Sequence, residues 1–513
     1  MDVLTEQTTH RKPPANSKKM KTDYRASENS DGQAWHNEHP TDLLSARSSR
    51  TQSAVGRFWL ALFCCLLIAG CYPVKKVFWA PNGQVAALLA EDALYFCNAK
   101  GELNGPLFTN AYVVSWFSNS QDLLLESGLK TKTWTEFTNA ANGEWVREIS
   151  SQAAAYVPRL KAGESSGELL KNIQESKSKT YIAALWLCWR DCHATELANI
   201  KEHEELMKEH EAEISVVQRM RYADQQLSKG VELFRSMSPA FEMRLSPDEN
   251  WFIFTVLDGP LSVASAREPG APICIETNQV AYYSDWSPDS RSLVFIKADG
   301  NAAGQSIRLG VVSSRRILDD QGRLDVTRPN EDLAGLLFDE AGKVRWLKDG
   351  RILFSTVQVQ LPATAREMAQ REQLFVVDPG RYHSVIKLVP QDMESQVPQK
   401  WSTFEVSPDS RRISAELDNG GVIIYDLADG KVETVQTDEN RKSSEIIPVW
   451  KSADELCFTS IATDKSTNQI HRLDLAVWKN GKVQIISESW PANFINTFFN
   501  ADNAAELLPL KKN

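Results

Sequence analysis

Hydrophobic positions along this chain fall into short unbroken runs, and each run is entered through a polar turn. Residues 286 to 295 read WSPDSRSLVF, and residues 406 to 415 read VSPDSRRISA. In Ser287-Pro288-Asp289-Ser290 the proline presets φ for the second position of a tight turn, while Ser and Asp hydrogen-bond the amides around it. Beyond the turn, Leu293 to Ile296 is wholly apolar, too short for a helix and rich in strand formers. The phrase therefore predicts a β-hairpin whose second strand is buried on both faces.

Five further copies follow the same pattern: FWAPNGQVAALLA from Phe78, SWFSNSQDLLLES from Ser115, RLSPDENWFIFTV from Arg244, RWLKDGRILFST from Arg345 and VWKSADELCFTS from Val449. The residue entering the turn is Trp79, Trp116, Leu245, Trp286, Trp346, Val406 or Trp450, a tryptophan in five copies of seven. The intervals of 37, 41 and 44 residues from Trp79 to Trp116, Leu245 to Trp286 and Val406 to Trp450, with 60 for each step from Trp286 to Trp346 to Val406, bracket the roughly 40 to 50 residues of a four-stranded propeller blade. Copy six supplies two further strands, GGVIIYDL from Gly420 and KVETVQT after the turn Ala428-Asp429-Gly430-Lys431. A lone four-stranded sheet cannot bury both faces, whereas a ring of them can. The predicted fold is all-β, a propeller of about seven four-stranded blades, with six to eight allowed. The repeated tryptophans are expected to pack between blades.

The pattern W-S-P-D followed by apolar residues and closed by a D-L-x-x-G-K turn resembles the TolB-like group of WD40-like propeller repeats. The resemblance covers about residues 74 to 490 apart from one insertion, and the copies at 245, 286 and 406 carry it most specifically; copies one, two, five and seven lack the full S-P-D. It implies a periplasmic or surface propeller used as a binding platform. Related propellers also form the non-catalytic half of prolyl-oligopeptidase-type peptidases.

Residues 1–57 differ from everything downstream: rich in Ser, Asn, Thr, Lys and Arg, without an apolar period, they read as disordered. Then Arg47, Arg50 and Arg57 precede an apolar run from Phe58 to Ile68, with Ala69 and Gly70 before Cys71. This has the parts of a secretory signal. Leu67-Ile68-Ala69-Gly70-Cys71 resembles a bacterial lipobox, which implies Cys71 as the lipid-attachment site. Signal n-regions are usually short and this one is long, so a start nearer Met20 or Arg57, or an uncleaved type II anchor, stays open; each exports the propeller. The run from Phe58 to Cys71 is short of the roughly 20 residues of a spanning helix. Tyr72 stands where the family has an aspartate for inner-membrane retention, which points to the outer membrane.

A net charge of −10 with no basic stripe downstream of the N-terminus argues against nucleic acid as a partner. Setting aside Cys64, Cys65 and Cys71 leaves Cys97, Cys188, Cys192, Cys274 and Cys457, an odd number without a complete disulfide framework. Cys188 and Cys192, beside His193, read as a local disulfide, part of a metal site, or two buried thiols; with no fourth ligand nearby the zinc reading is poor. No cofactor is expected. There is no G-x-S-x-G elbow, P-loop or G-x-G-x-x-G, and His203-Glu204 has Met207 where a zinc protease places its second histidine. Asp285 with Asp289, and Asp409 with Asp418, are acidic pairs that read chiefly as turn residues rather than as acid and base on a sugar.

Between the second and third copies, residues 151–240 read as a mainly helical insertion. Ser165 and Glu168 form a capping box. The run YIAALWLCW from Tyr181 fits a buried strand or a helix, or a degenerate eighth blade. Val216, Met220, Ala223, Leu227, Val231 and Phe234 make an apolar stripe at helical spacing, preceded by a polar, solvated stretch from Lys201 to Glu213. Residues 72–150 then hold blades one and two, 241–490 blades three to seven, and 491–513 a tail. The expected protein is a membrane-anchored, exported platform for an envelope protein partner; the alternative is an envelope enzyme acting on glycans or peptides at the propeller channel.

Overall fold

The computed structural model describes residues 76–494 apart from short internal stretches, the longest of them 360–371. Residues 58–71, including Cys71, lie outside the described residues. Seven antiparallel sheets follow one another along the chain, each assembled from consecutive strands except that Gln358–Val359, which follows the first two strands of the fifth sheet, pairs with Glu331–Asp339 of the fourth. Their first strands are Val77–Trp79, Ala111–Trp116, Ala240–Leu245, Val280–Trp286, Val344–Trp346, Glu405–Val406 and Val449–Trp450. These neighbour one another around a common axis, and Val77–Trp79 also meets Val449–Trp450. The chain is a seven-bladed β-propeller, one blade for each copy of the phrase.

The repeated phrase does two jobs. Within a blade the turn serine collects its own loop: Ser287 Oγ donates to Asp289 and accepts the Ser292 amide at 2.8 Å, and Ser407 repeats this with Asp409 and Arg412. Between blades, a serine in the left-handed region reaches back to the preceding turn. Ser120, Ser290 and Ser410, with φ of 58°, 63° and 60°, accept amides of Asn82, Asp248 and Lys348 at 3.0, 2.9 and 3.1 Å. The tryptophans also join blades: Trp116, Trp286 and Trp450 donate their indole N–H to the carbonyls of Phe78, Arg244 and Glu405 at 2.8, 3.0 and 3.1 Å. Each acceptor lies in the preceding blade, one residue before its turn-entering position. Trp346 differs, bonding Gly350 of its own hairpin.

The insertion begins and ends earlier than residues 151–240, and it lies inside a blade. Asp122–Thr131 and Ala212–Ala223 are neighbouring strands of blade 2, paired residue for residue from Asp122↔Arg221 to Thr131↔Ala212. The helical part occupies the connection between them: α1 Trp134–Ala140, α2 Gly143–Lys161, α3 Ser166–Gln174, α4 Lys179–Cys192 and α5 His203–Leu206. The run from Tyr181 is therefore helix and not an eighth blade. Ser165 Oγ caps α3 by accepting the Glu168 amide, as the capping box predicts. Trp189, Tyr181, Phe137 and Leu185 fill a core of their own, completed by Ala212 and Ile214 of the strand beneath.

The stripe from Val216 to Phe234 is not a helix. It belongs to strand Ala212–Ala223, the short Gln226–Leu227 and Val231–Ser236, the last pairing back onto Ala212–Ala223. Val217 and Met220 are buried while Gln218, Arg219 and Arg221 are not, a pattern in which steps of three and four recur without a helix. The ten-pair ladder with Asp122–Thr131 outweighs local helix propensity. From Lys201 to Glu213 the chain is mixed: Leu206 and Ala212 are fully buried, so this is no solvated rod.

Candidate functional site

The first strands of blades 3 to 6 place charge around the axis in a repeating phase. One residue before the turn-entering position stand Arg244, Asp285, Arg345 and Glu405, alternating in sign from blade to blade; two residues earlier stand Glu242, Tyr283 and Lys343. Asp285, 8% exposed, lies 3.3 Å from Arg244 of blade 3 and accepts amides from Trp286 of its own blade and Trp346 of blade 5. Glu242 takes Arg244 at 3.2 Å and reaches Arg345 of blade 5 at 2.9 Å. Lys343, fully buried, pairs with Glu405 of blade 6 at 3.1 Å. Its ammonium lies 4.7 Å from the centre of the Tyr283 ring and 5.1 Å from that of Phe404. Three cations and three carboxylates thus bind four blades into one network.

Burial alone would push the Glu242 carboxyl up, but Arg345, Arg244 and Lys343 override it and hold the group below its ordinary range. For Lys343 burial wins, and the ammonium is pushed down to about 8 despite Glu405. The Nε atoms of Arg244 and Arg345 are buried without a hydrogen-bond partner.

On the other side of the axis the same phase is apolar or neutral, with Val449, Phe78 and Ser115. A cavity of about 310 Å³ lies between the two arcs, lined by Val449, Phe78, Val113 and Trp116 opposite Glu242, Arg244, Tyr283 and Glu405. Its volume is at the small end of ligand pockets. Its two-sided wall matches an occupant with one apolar and one polar face.

The residues singled out in sequence fare differently. Asp289 and Asp409 are turn residues, bonded to Ser287 and Ser407. Asp285 is not a turn residue but a node of the axial network, and Asp418 lies outside the described residues. Cys188 and Cys192 are free thiols one turn apart on α4. Burial first, and then the neighbouring Cys192, push the Cys188 thiol up to about 12. Consecutive turns of a helix point both side chains along the same direction, which does not favour the crossed geometry of a disulfide. Among the described residues no group of three or more His, Cys, Asp or Glu side chains is placed to hold a metal ion. The network residues Glu242, Arg244, Lys343, Arg345 and Glu405 were not foreseen. Their signal was present: aligning the seven copies on the turn-entering residue exposes the alternating charges directly before it.

No protein-family model matches the chain, and no curated protein matches it. Solved structures of low identity do. A TolB from Agrobacterium tumefaciens is 14% identical over 52% of this chain and 88% of its own, with a TM-score of 0.34. The Swd1 β-propeller domain of Myceliophteria thermophila is 10% identical over 82% and 96%, with a TM-score of 0.40. An acylaminoacyl peptidase from Pyrococcus horikoshii is 15% identical over 54% of this chain and 42% of its own, with a TM-score of 0.34. The propeller assignment rests on the seven sheets themselves, and likenesses at this level say nothing of activity.

Proposed function

We propose that the protein is an exported, lipid-anchored binding platform of the cell envelope that holds a protein partner at its axial cavity. The observation that carries this reading is the two-sided wall. A ring braced by four ion pairs among three cations and three carboxylates presents an apolar arc opposite a charged one, which suits an amphipathic segment of another chain. The lipobox resemblance at Cys71 supports the anchor, and Tyr72 supports the outer membrane. No helix among the described residues is long and apolar enough to cross a membrane. The acidic net charge speaks against nucleic acid.

The test is cross-linking in intact membranes with tagged full-length chain, comparing wild type with Ser115→Trp, which fills the cavity. A specific partner captured by wild type and lost by the variant supports the reading. Equal capture by both moves the site elsewhere on the ring or to the insertion. The enzyme alternative has one observation in its favour, the carboxylates of Glu242 and Glu405 at the cavity wall. Both are engaged by cations, whereas a general acid needs a raised pKa. Turnover of a glycan or peptide that Glu405→Gln abolishes while partner capture persists would favour the enzyme.

A further inference from the structure

Away from the axis, one buried acid has no role in the network described above. Glu126 lies in the second strand of blade 2 and is 1% exposed. Its Oε1 accepts from the Ser215 hydroxyl and, at 2.7 Å, from the amide of Ala240, the first residue of blade 3. Its Oε2 is buried and without a partner, and among the described residues Glu126 forms no ion pair. The charge that acts on it is of its own sign, Glu213, on the neighbouring strand. Glu213 is bonded in turn by the Tyr112 hydroxyl, from the first strand of the blade. Its backbone carbonyl accepts the hydroxyl of Thr180 in α4 at 2.6 Å. Gly128 leaves room for this arrangement, because a Cβ there would stand 2.4 Å from Glu213 Oε1 and 2.6 Å from the Tyr112 hydroxyl. The carboxyl therefore sits where blade 2, blade 3 and the helical insertion meet.

We propose that Glu126 is a proton-operated latch at this three-way junction: protonated, it holds the blades and the insertion together, and ionised, it loosens them. A buried carboxylate with one orphan oxygen, no cation and a carboxylate neighbour can be relieved only by taking up a proton or by admitting water. Protonation leaves both bonds to Oε1 in place and removes the repulsion from Glu213. Ionisation favours a hydrated, opened junction, which frees blade 3's first residue and the strand beneath α4. Burial, with Glu213 adding to it, pushes the carboxyl from 4.5 up to about 7, so the latch operates around neutral pH.

Because this folded value lies above that of a hydrated carboxyl, the junction is most stable at low pH and loses stability as pH rises toward 7 and above. If opening restores an ordinary value of 4.5, the opening constant rises by about thirtyfold between pH 5.5 and 8.5.

Hydrogen exchange on the full chain, corrected for the intrinsic pH dependence of exchange, reads this directly. Peptides spanning Asp122–Thr131, Lys179–Cys192 and Ala212–Ala223 should lose protection over that range relative to Val422–Asp426 in blade 6. Glu126→Gln should abolish the difference. Glu213→Gln should keep it but shift its midpoint to lower pH, and this variant serves if the first does not fold. A wild type with no excess pH dependence, a difference that persists in Glu126→Gln, or an unmoved midpoint in Glu213→Gln would each overturn the proposal.

Discussion

The indole nitrogen of Trp490 lies 3.4 Å from the carbonyl oxygen of Gly101, a contact across 389 positions that ties the last described segment to the first blade. Around it, Phe494 meets the Tyr95 ring edge-on at 4.9 Å, and the Trp490 amide bonds the Leu473 carbonyl in blade 7. Among the described residues no strand is exchanged between the terminal blades, and side chains join them: Val77, Trp79 and Leu88 against Val449, Leu473 and Leu475, with Trp490 and Phe494 across the joint.

At Gly101 the backbone of blade 1 closely approaches that of blade 7. Its φ is +82°, and a Cβ there would stand 2.5 Å from the Ile486 carbonyl and the Ser487 Cβ of blade 7. Gly101→Ala is expected to cost about 2–4 kcal/mol, combining left-handed strain with overpacking. Urea denaturation measures it. A loss under about 0.5 kcal/mol, the range of an ordinary surface change, would mean that the seam has slack.

The Lys343–Glu405 pair offers a test of whether the axial network is structural. Glu405→Leu leaves a buried ammonium alone and should cost about 3–5 kcal/mol, whereas Lys343→Met with Glu405→Leu should lie near wild type. The pH dependence has a definite sign. The Lys343 value is depressed from 10.5 to about 8, so its contribution to stability is present above pH 10.5 and is lost as pH falls through 8. The double variant should therefore show a flatter stability profile between pH 7 and 10.5. A double variant as unstable as the single one would contradict the pairing.

Because Thr131 and Ala212 are directly opposed, residues 132–211 can be replaced by Asn-Gly, which closes the two strands as a hairpin. The expected product is a folded ring without helical circular dichroism. Replacing 165–236 instead removes three strands of blade 2 and should aggregate. Partner capture by the first product would place binding on the ring.

Anchoring is tested by labelling with a fatty-acid analogue. Wild type should incorporate label and Cys71→Ala should not; equal labelling, or none in wild type, would refute the lipobox.

The seven hairpins were legible because turn chemistry and buried runs are local, and their tryptophans sit at one phase. The remainder of each blade is set by pairing. Recognition by the first two strands alone cannot locate an insertion that falls between the second and third, so the reading of 151–240 starts too late and runs on into strands Ala212–Ala223 and Val231–Ser236. Val216, Met220 and Ala223 satisfied a helical period by coincidence, and only the ladder with Asp122–Thr131 shows them as strand. The axial charges were visible in phase but not in partnership: nothing local says that Glu242 reaches Arg345 across a blade. Glu126 was wholly silent, since its meaning comes from Ala240 and Glu213, which the fold brings to it.

Consecutive assembly of the blades also dictates an order of events as the chain is made. Each blade can form once its own strands have emerged, but the first keeps one apolar face bare until blade 7 and Trp490 arrive. At about 5–20 residues per second, that wait is on the order of half a minute. The newborn chain must pass that interval as an incomplete arc, which makes the unclosed arc the form that most needs a chaperone.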